Sequence, residues 1–160
     1  MKSNKKKSIL QEKRLSKKLN ARRVPASGAI KIGGGYDLNH DDFAIEAKRS
    51  EREFYMLRHK DLIKISKIAY QKLKRPLFVI EFIHSKRIFV LTASTWLPDL
   101  PKINIITESF QISDNSIFME LKDKTAIYLI WENKEVNIWK LQYLETWQKE
   151  EEEWKKQQQI

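Results

Sequence analysis

The 160-residue chain has no cysteine, which excludes both a disulfide framework and a thiolate metal centre and fits a reducing, cytoplasmic compartment. Long apolar runs are missing too. Nothing approaches the ~18 consecutive apolar residues of a spanning helix, and the basic N-terminus is not followed by the apolar stretch of a secretory signal; no membrane association is expected. Glycine is scarce, four residues in all, at Gly28 and Gly33–Gly35. These form no dinucleotide fingerprint, since position 38 is Leu and no helix follows, and no phosphate-loop Gly-Lys-Ser/Thr occurs. The three histidines, His40, His59 and His84, lack ligand-like spacing and read as surface residues.

What is abundant is positive charge: 31 Lys and Arg against 21 Asp and Glu, a formal net charge of +10. Almost all of the excess lies in residues 1–23, where ten basic side chains, among them Lys5, Lys6, Lys7, Arg14, Arg22 and Arg23, accompany one acid, Glu12. A concentrated cationic stretch attracts a polyanion through counterion release, without sequence preference. Hydrophobic residues make up 41%, enough for a real core in one domain. The expected organisation is a flexible basic arm over residues 1–8 and a single domain over 9–160.

Along the chain, Ile9, Glu12, Leu15 and Leu19 recur at helical spacing and predict a helix from about Ser8 to Asn20. Its only acid lies on the apolar stripe, where a carboxylate must find a partner or a cation. Pro25 and Gly28 mark a loop. A strand is expected to begin over Ala29–Ile32, and Asn39–Asp42 reads as a four-residue hairpin loop leading into a strand over Phe43–Ala47. That register sets Leu38 opposite Phe43 and Asp37 opposite Ala44, which places Asp37, Glu46 and Lys48 on one face. Residues 54–57 are compatible with helix or strand. A helix follows from about Arg58 to Leu73, with Leu62, Ile65, Ala69 and Leu73 opposite Lys60, Lys64, Lys67 and Lys74. A hairpin is expected from Leu77–Ile83 and Ile88–Thr92. Strands are expected near Ile117–Leu121, Ala126–Trp131 and Val136–Trp139, with Trp96, Trp131 and Trp139 in apolar strands. A last helix from about Lys140 would offer Trp147 and Trp154 to a dimer seam.

The chemistry of phosphodiester hydrolysis needs an activated water and neutralisation of charge on the pentacovalent transition state. Mg²⁺, with Mn²⁺ as substitute, is an oxygen-seeking ion that keeps several waters, so two acids and a carbonyl suffice to hold it. Asp37, Glu46 and the carbonyl of Ala47 are the candidate ligands. Lys48, one strand step from Glu46, would orient the attacking water or stabilise the phosphorane. Acid-x-Lys alone arises by chance on amphipathic strands; the upstream Asp, the Gly-rich approach and the basic context make the pattern more specific.

Arg23-Val24-Pro25-Ala26-Ser27-Gly28, Tyr36-Asp37-Leu38 and Ile45-Glu46-Ala47-Lys48 together resemble the archaeal-type and phage Holliday junction resolvases of the PD-(D/E)xK nuclease superfamily, over roughly residues 9–83. The resemblance implies an α/β fold with a restriction-endonuclease-like core, a central mixed β-sheet flanked by helices. It also implies a homodimer that makes paired Mg²⁺-dependent nicks in branched DNA, a four-way junction, and a host-cell cytoplasmic location if the gene is a phage's. By matching motif, Asp37, Glu46 and Lys48 would be catalytic, Glu12 would complete the metal site, and Arg23 and Ser27 would contact DNA or support catalysis. Lys5, Lys6, Lys7, Arg14 and Arg22 are further candidate DNA contacts. Tyr36 stands where the superfamily pattern has Pro. Two other readings remain open: a nuclease of the same fold acting on flaps, nicks or damage, and a DNA-binding module without catalysis.

Overall fold

The computed structural model describes residues 3–24, 36–132 and 137–159, together with the backbone of 26–27 and 30–31. In chain order the elements are α1 (Asn4–Leu19), β1 (Arg22–Arg23), β2 (Ala26–Ser27), β3 (Ile30–Lys31), β4 (Leu38–Asn39), β5 (Phe43–Ser50), β6 (Phe54–Arg58) and α2 (His59–Gln71). They continue with β7 (Arg75–Phe82), β8 (Ile88–Ser94), β9 (Lys102–Ile105), β10 (Ser109–Ser113), α3 (Asp114–Leu121), β11 (Ile127–Trp131), β12 (Asn137–Tyr143) and α4 (Leu144–Gln158).

One mixed sheet of eight strands runs in the order β1-β4-β5-β7-β8-β12-β11-β9. The β5/β7 and β11/β9 pairs are parallel and the others antiparallel. Strands β7 and β8 are apolar on consecutive residues because both faces of the sheet are covered. On one face Leu77, Val79, Ile88 and Val90 pack with Leu15 and Leu19 of α1 and with Leu144 and Trp147 of α4. On the other, Phe78, Ile80, Phe89 and Leu91 pack with Leu62, Ile65 and Ala69 of α2. The expectation of an α/β fold with a central mixed sheet flanked by helices is met at that level.

Several boundaries differ from the sequence reading. The basic arm expected over residues 1–8 is helical from Asn4: Ser3 caps the helix by accepting the Lys6 N–H at 3.3 Å, and the lysines that follow are good helix formers. Residues 54–57 are extended and belong to β6, which pairs with β10 in a separate ribbon. The expected strand over Ile117–Leu121 is helix α3, whose buried Asp114, Ile117 and Leu121 recur at helical spacing. Strand β12 persists through Tyr143, so α4 begins at Leu144 rather than Lys140. Helix α2 stops at Gln71, and Leu73 lies beyond it, exposed, with φ 56°. Trp96 is exposed and outside any strand. Trp147, expected to face outward from its helix, is buried within the chain and meets Phe43 edge-on at 5.2 Å.

Candidate active site

The hairpin that opens β5 is tighter than expected. Leu38 pairs with Ile45 and Asn39 with Ala44, and the His40 N–H reaches the Phe43 carbonyl at 3.0 Å, which leaves only Asp41 and Asp42 in the turn. The register therefore differs by two residues from the one read in the sequence. Because side chains alternate with period two, a slip of two preserves the face. Extended by one step, that register would set Asp37 across from Glu46 rather than Ala44.

Past Leu38 the ladder gives way to a side chain. The Asp37 N–H donates to the Ile45 carbonyl at 3.1 Å, and the Ala47 N–H donates to Asp37 Oδ2 at 2.9 Å. A regular strand would have offered Ala47 a backbone carbonyl; here the buried carboxylate takes that place. A residue's N–H and C=O point toward the same neighbouring strand in such a ladder, so the Ala47 carbonyl is directed to the side that Asp37 occupies. This contact binds the first candidate acid to the backbone between Glu46 and Lys48.

Alternation in β5 also assigns the faces. Phe43, Ile45 and Ala47 pack on the α1 and α4 side, whereas Ala44 belongs to the α2 side. Glu46 and Lys48 continue the Ala44 series. Lys48 Nζ lies 3.6 Å from Glu46 Oε1. Tyr55 of β6, packed against Phe78, shares this neighbourhood: burial first, then the negative charges of Asp61 and Glu46, push its phenol above the ordinary value.

Helix α1 reaches the same strand from the opposite face. Gln11, buried, donates from Nε2 to the Lys48 carbonyl at 2.8 Å. Glu12, next along the helix, accepts from Arg23 Nε at 3.2 Å, so two of the candidate residues hold one another and tie α1 to β1. Arg14 is committed elsewhere: both terminal nitrogens meet the buried Glu81 carboxylate, at 2.9 and 3.1 Å. Lys7 Nζ pairs with Glu51 at 2.8 Å. Lys5, Lys6 and Arg22 are exposed. Pro25, Gly28 and Gly33–Gly35 lie outside the described residues, as do the side chain of Ser27 and part of the expected 29–32 strand.

Among the described residues no group of three or more His, Asp or Glu side chains is placed to hold a metal ion. The set at the β4/β5 junction is smaller and all oxygen: the carboxylates of Asp37 and Glu46 and the carbonyl of Ala47. Hard oxygen donors fit Mg²⁺ or Mn²⁺ when waters complete the shell. Neither a protein-family model nor a curated protein matches this chain. Two neighbours of the constellation escaped the sequence reading, Gln11 and Tyr55. Gln11 precedes Leu15 and Leu19 by four and eight residues, a helical stripe that would have marked it as inward. Tyr55 had no local signal, because β6 comes to this site through the fold.

Proposed function

We propose that the chain is a Mg²⁺-dependent, structure-specific endodeoxyribonuclease with a restriction-endonuclease-like core, cutting four-way DNA junctions by paired nicks as a homodimer. The observation that carries this reading is the buried Asp37 carboxylate held on the Ala47 N–H, between Glu46 and Lys48. Asp37, Glu46 and the Ala47 carbonyl would hold the ion, with Glu12 the further acid that the resemblance implies. When bound, Mg²⁺ supplies positive charge and lowers the pKa of a coordinated water.

The chain's own groups do the rest. The Asp37–Ala47 hydrogen bond holds one acid in place before substrate arrives, so little reorganisation is needed on binding. Lys48 places a cation beside Glu46, suited to steady the negative charge that builds on phosphorus. Arg23, exposed and bonded to Glu12, can orient that acid and meet a phosphate with its remaining N–H groups. Paired incision needs two sites, and a two-fold axis supplies them symmetrically.

The test is a labelled four-way junction beside linear duplex and flap, with and without Mg²⁺. The expected outcome is paired symmetric nicks confined to the junction and dependent on the metal. Equal cutting of linear duplex would make the protein a general nuclease, and binding of every substrate without cleavage would make it a binding module. Glu46→Gln is expected to abolish cleavage while junction affinity stays within about threefold; surviving cleavage would remove Glu46 from the site.

A further inference from the structure

Helix α2 buries Leu62, Ile65 and Ala69 against the sheet and turns Lys60, Lys64 and Lys67 outward. With Arg58 just before the helix, these three line a groove of about 850 Å³, floored in part by His59 and containing one acid, Glu108. Among the described residues none of the four cations is paired with a carboxylate.

Helix α4 shows what a merely solvated charged helix looks like in the same molecule. Its Glu150, Glu151, Lys155 and Lys156 find opposite charges in Lys140, Arg75, Asp42 and Glu153. The α2 stripe has no such compensation. Like charges at i and i+4 weaken a helix by a few tenths of a kcal/mol per pair, so the stripe opposes local stability and calls for an external anion. Lys60 to Lys67 spans about 10 Å of helix at 1.5 Å per residue. A duplex carries one phosphate of each strand per about 3.4 Å of its axis, so three lysines over that length are of the same charge density as the backbone they would meet.

The groove also shares a face with the candidate site. Glu46 and Lys48 project on the α2 side of β5, and Tyr55 feels the charges of Glu46, of Asp61 in α2 and of Arg58 at the end of β6. DNA lying along α2 would therefore pass the two residues from the side on which they are presented.

We propose that the α2 groove is a docking track for the backbone of a duplex DNA arm, with Lys60, Lys64 and Lys67 each meeting a phosphate. The use of the track to deliver DNA to Glu46 and Lys48 rests on the nuclease reading; the track itself does not. It is sequence-independent and acts on affinity, leaving the chemical step alone.

The test compares Lys60→Ala/Lys64→Ala/Lys67→Ala with a control of equal charge loss, Lys102→Ala/Lys122→Ala/Lys149→Ala. Binding to a labelled 30-base-pair duplex is followed by anisotropy without metal, across a salt series. The groove variant is expected to bind at least about tenfold more weakly at ~0.1 M salt, with the log–log salt slope reduced by about 2–3, and the control to change less than about twofold. Its melting temperature should be no lower than that of the unsubstituted protein, because alanine removes repulsion and is the better helix former. Groove and control variants binding alike would overturn the proposal, as would lost affinity for single-stranded RNA or an acidic peptide with duplex affinity intact. Cleavage assays on the same proteins separate the two readings. No cleavage by the unsubstituted protein, with duplex affinity still lost in the groove variant, overturns the nuclease and keeps the track; intact cleavage with no affinity change does the reverse.

Discussion

Asp37 shows how one residue can serve fold and chemistry with the same atoms. Its Oδ2 accepts a strand N–H that would otherwise be buried without a partner, and an orphaned donor of that kind costs about 1–3 kcal/mol. Asp37→Ala is accordingly expected to lower unfolding free energy by about 1–3 kcal/mol, while Asp37→Asn, whose amide oxygen can still accept, should lose less than about 1. Urea denaturation of both variants beside a cleavage assay checks this: cleavage should be lost in each, stability mainly in the first. Equal destabilisation would mean that the carboxylate's charge, rather than its acceptor oxygen, holds the strand. That Glu46 and Lys48 share a face of β5 was legible in the sequence because strand alternation depends on parity alone, whereas the way Asp37 reaches them, through its carboxylate on the Ala47 N–H, was not. Gln11 was harder to see, since Glu12 beside it fits almost the same helical stripe and carries the more conspicuous charge.

Among the elements, those that read correctly carry their own pattern. The β7/β8 hairpin is a pair of apolar runs around a polar turn, and α2 has a lysine face opposite an apolar one. Helix α3 did not read correctly, because Ile117–Leu121 is too short a window to separate the two periods; the first residue of the helix, Asp114, held by Arg87 at 3.1 Å, supplies the missing inward position. Trp147 and Trp154 look alike in sequence, yet α4 buries only the first. Trp147→Ala should cost about 3–5 kcal/mol, the range for emptying a buried aromatic site. Trp154, half exposed under Arg75 at 5.3 Å, should cost less than about 1 kcal/mol when changed to Ala. Chemical denaturation of the two variants decides it, and a large loss at Trp154 alone would mean that this half-exposed ring carries packing beyond its contact with Arg75.

Across the whole molecule, charge and burial make stability depend on pH. Burial lowers the pKa of His59, stacked on Trp131 at 5.3 Å with Nε2 buried and without a hydrogen-bond partner. It also lowers that of His40, where Asp42 and Asp41 oppose the shift and Lys155 and Lys74 reinforce it; its Nδ1 accepts the Asp42 N–H at 3.0 Å. Both imidazoles are therefore neutral in the fold at a pH where the unfolded chain already binds protons, near the ordinary value of 6.5. Their contribution is complete above that value and is lost as pH falls toward the depressed folded ones. Unfolding free energy should thus drop between about pH 7.5 and pH 5, and His59→Phe, which keeps a ring against Trp131, should flatten the drop. An unchanged slope in that variant would show that His59 does not titrate on unfolding. No described helix is long and apolar enough to cross a membrane.

By itself, the sequence determined the excess of positive charge and the common face of Glu46 and Lys48 in β5, because composition and local alternation do not depend on distant contacts. Only the tertiary structure decided that Asp37 completes a ladder with its side chain, that Arg14 is held by Glu81 and Glu12 by Arg23, and that α2 leaves three lysines uncompensated beside the same face as Glu46. Each of these depends on how separate elements come together, which is set by how helices and strands cover the two faces of one sheet.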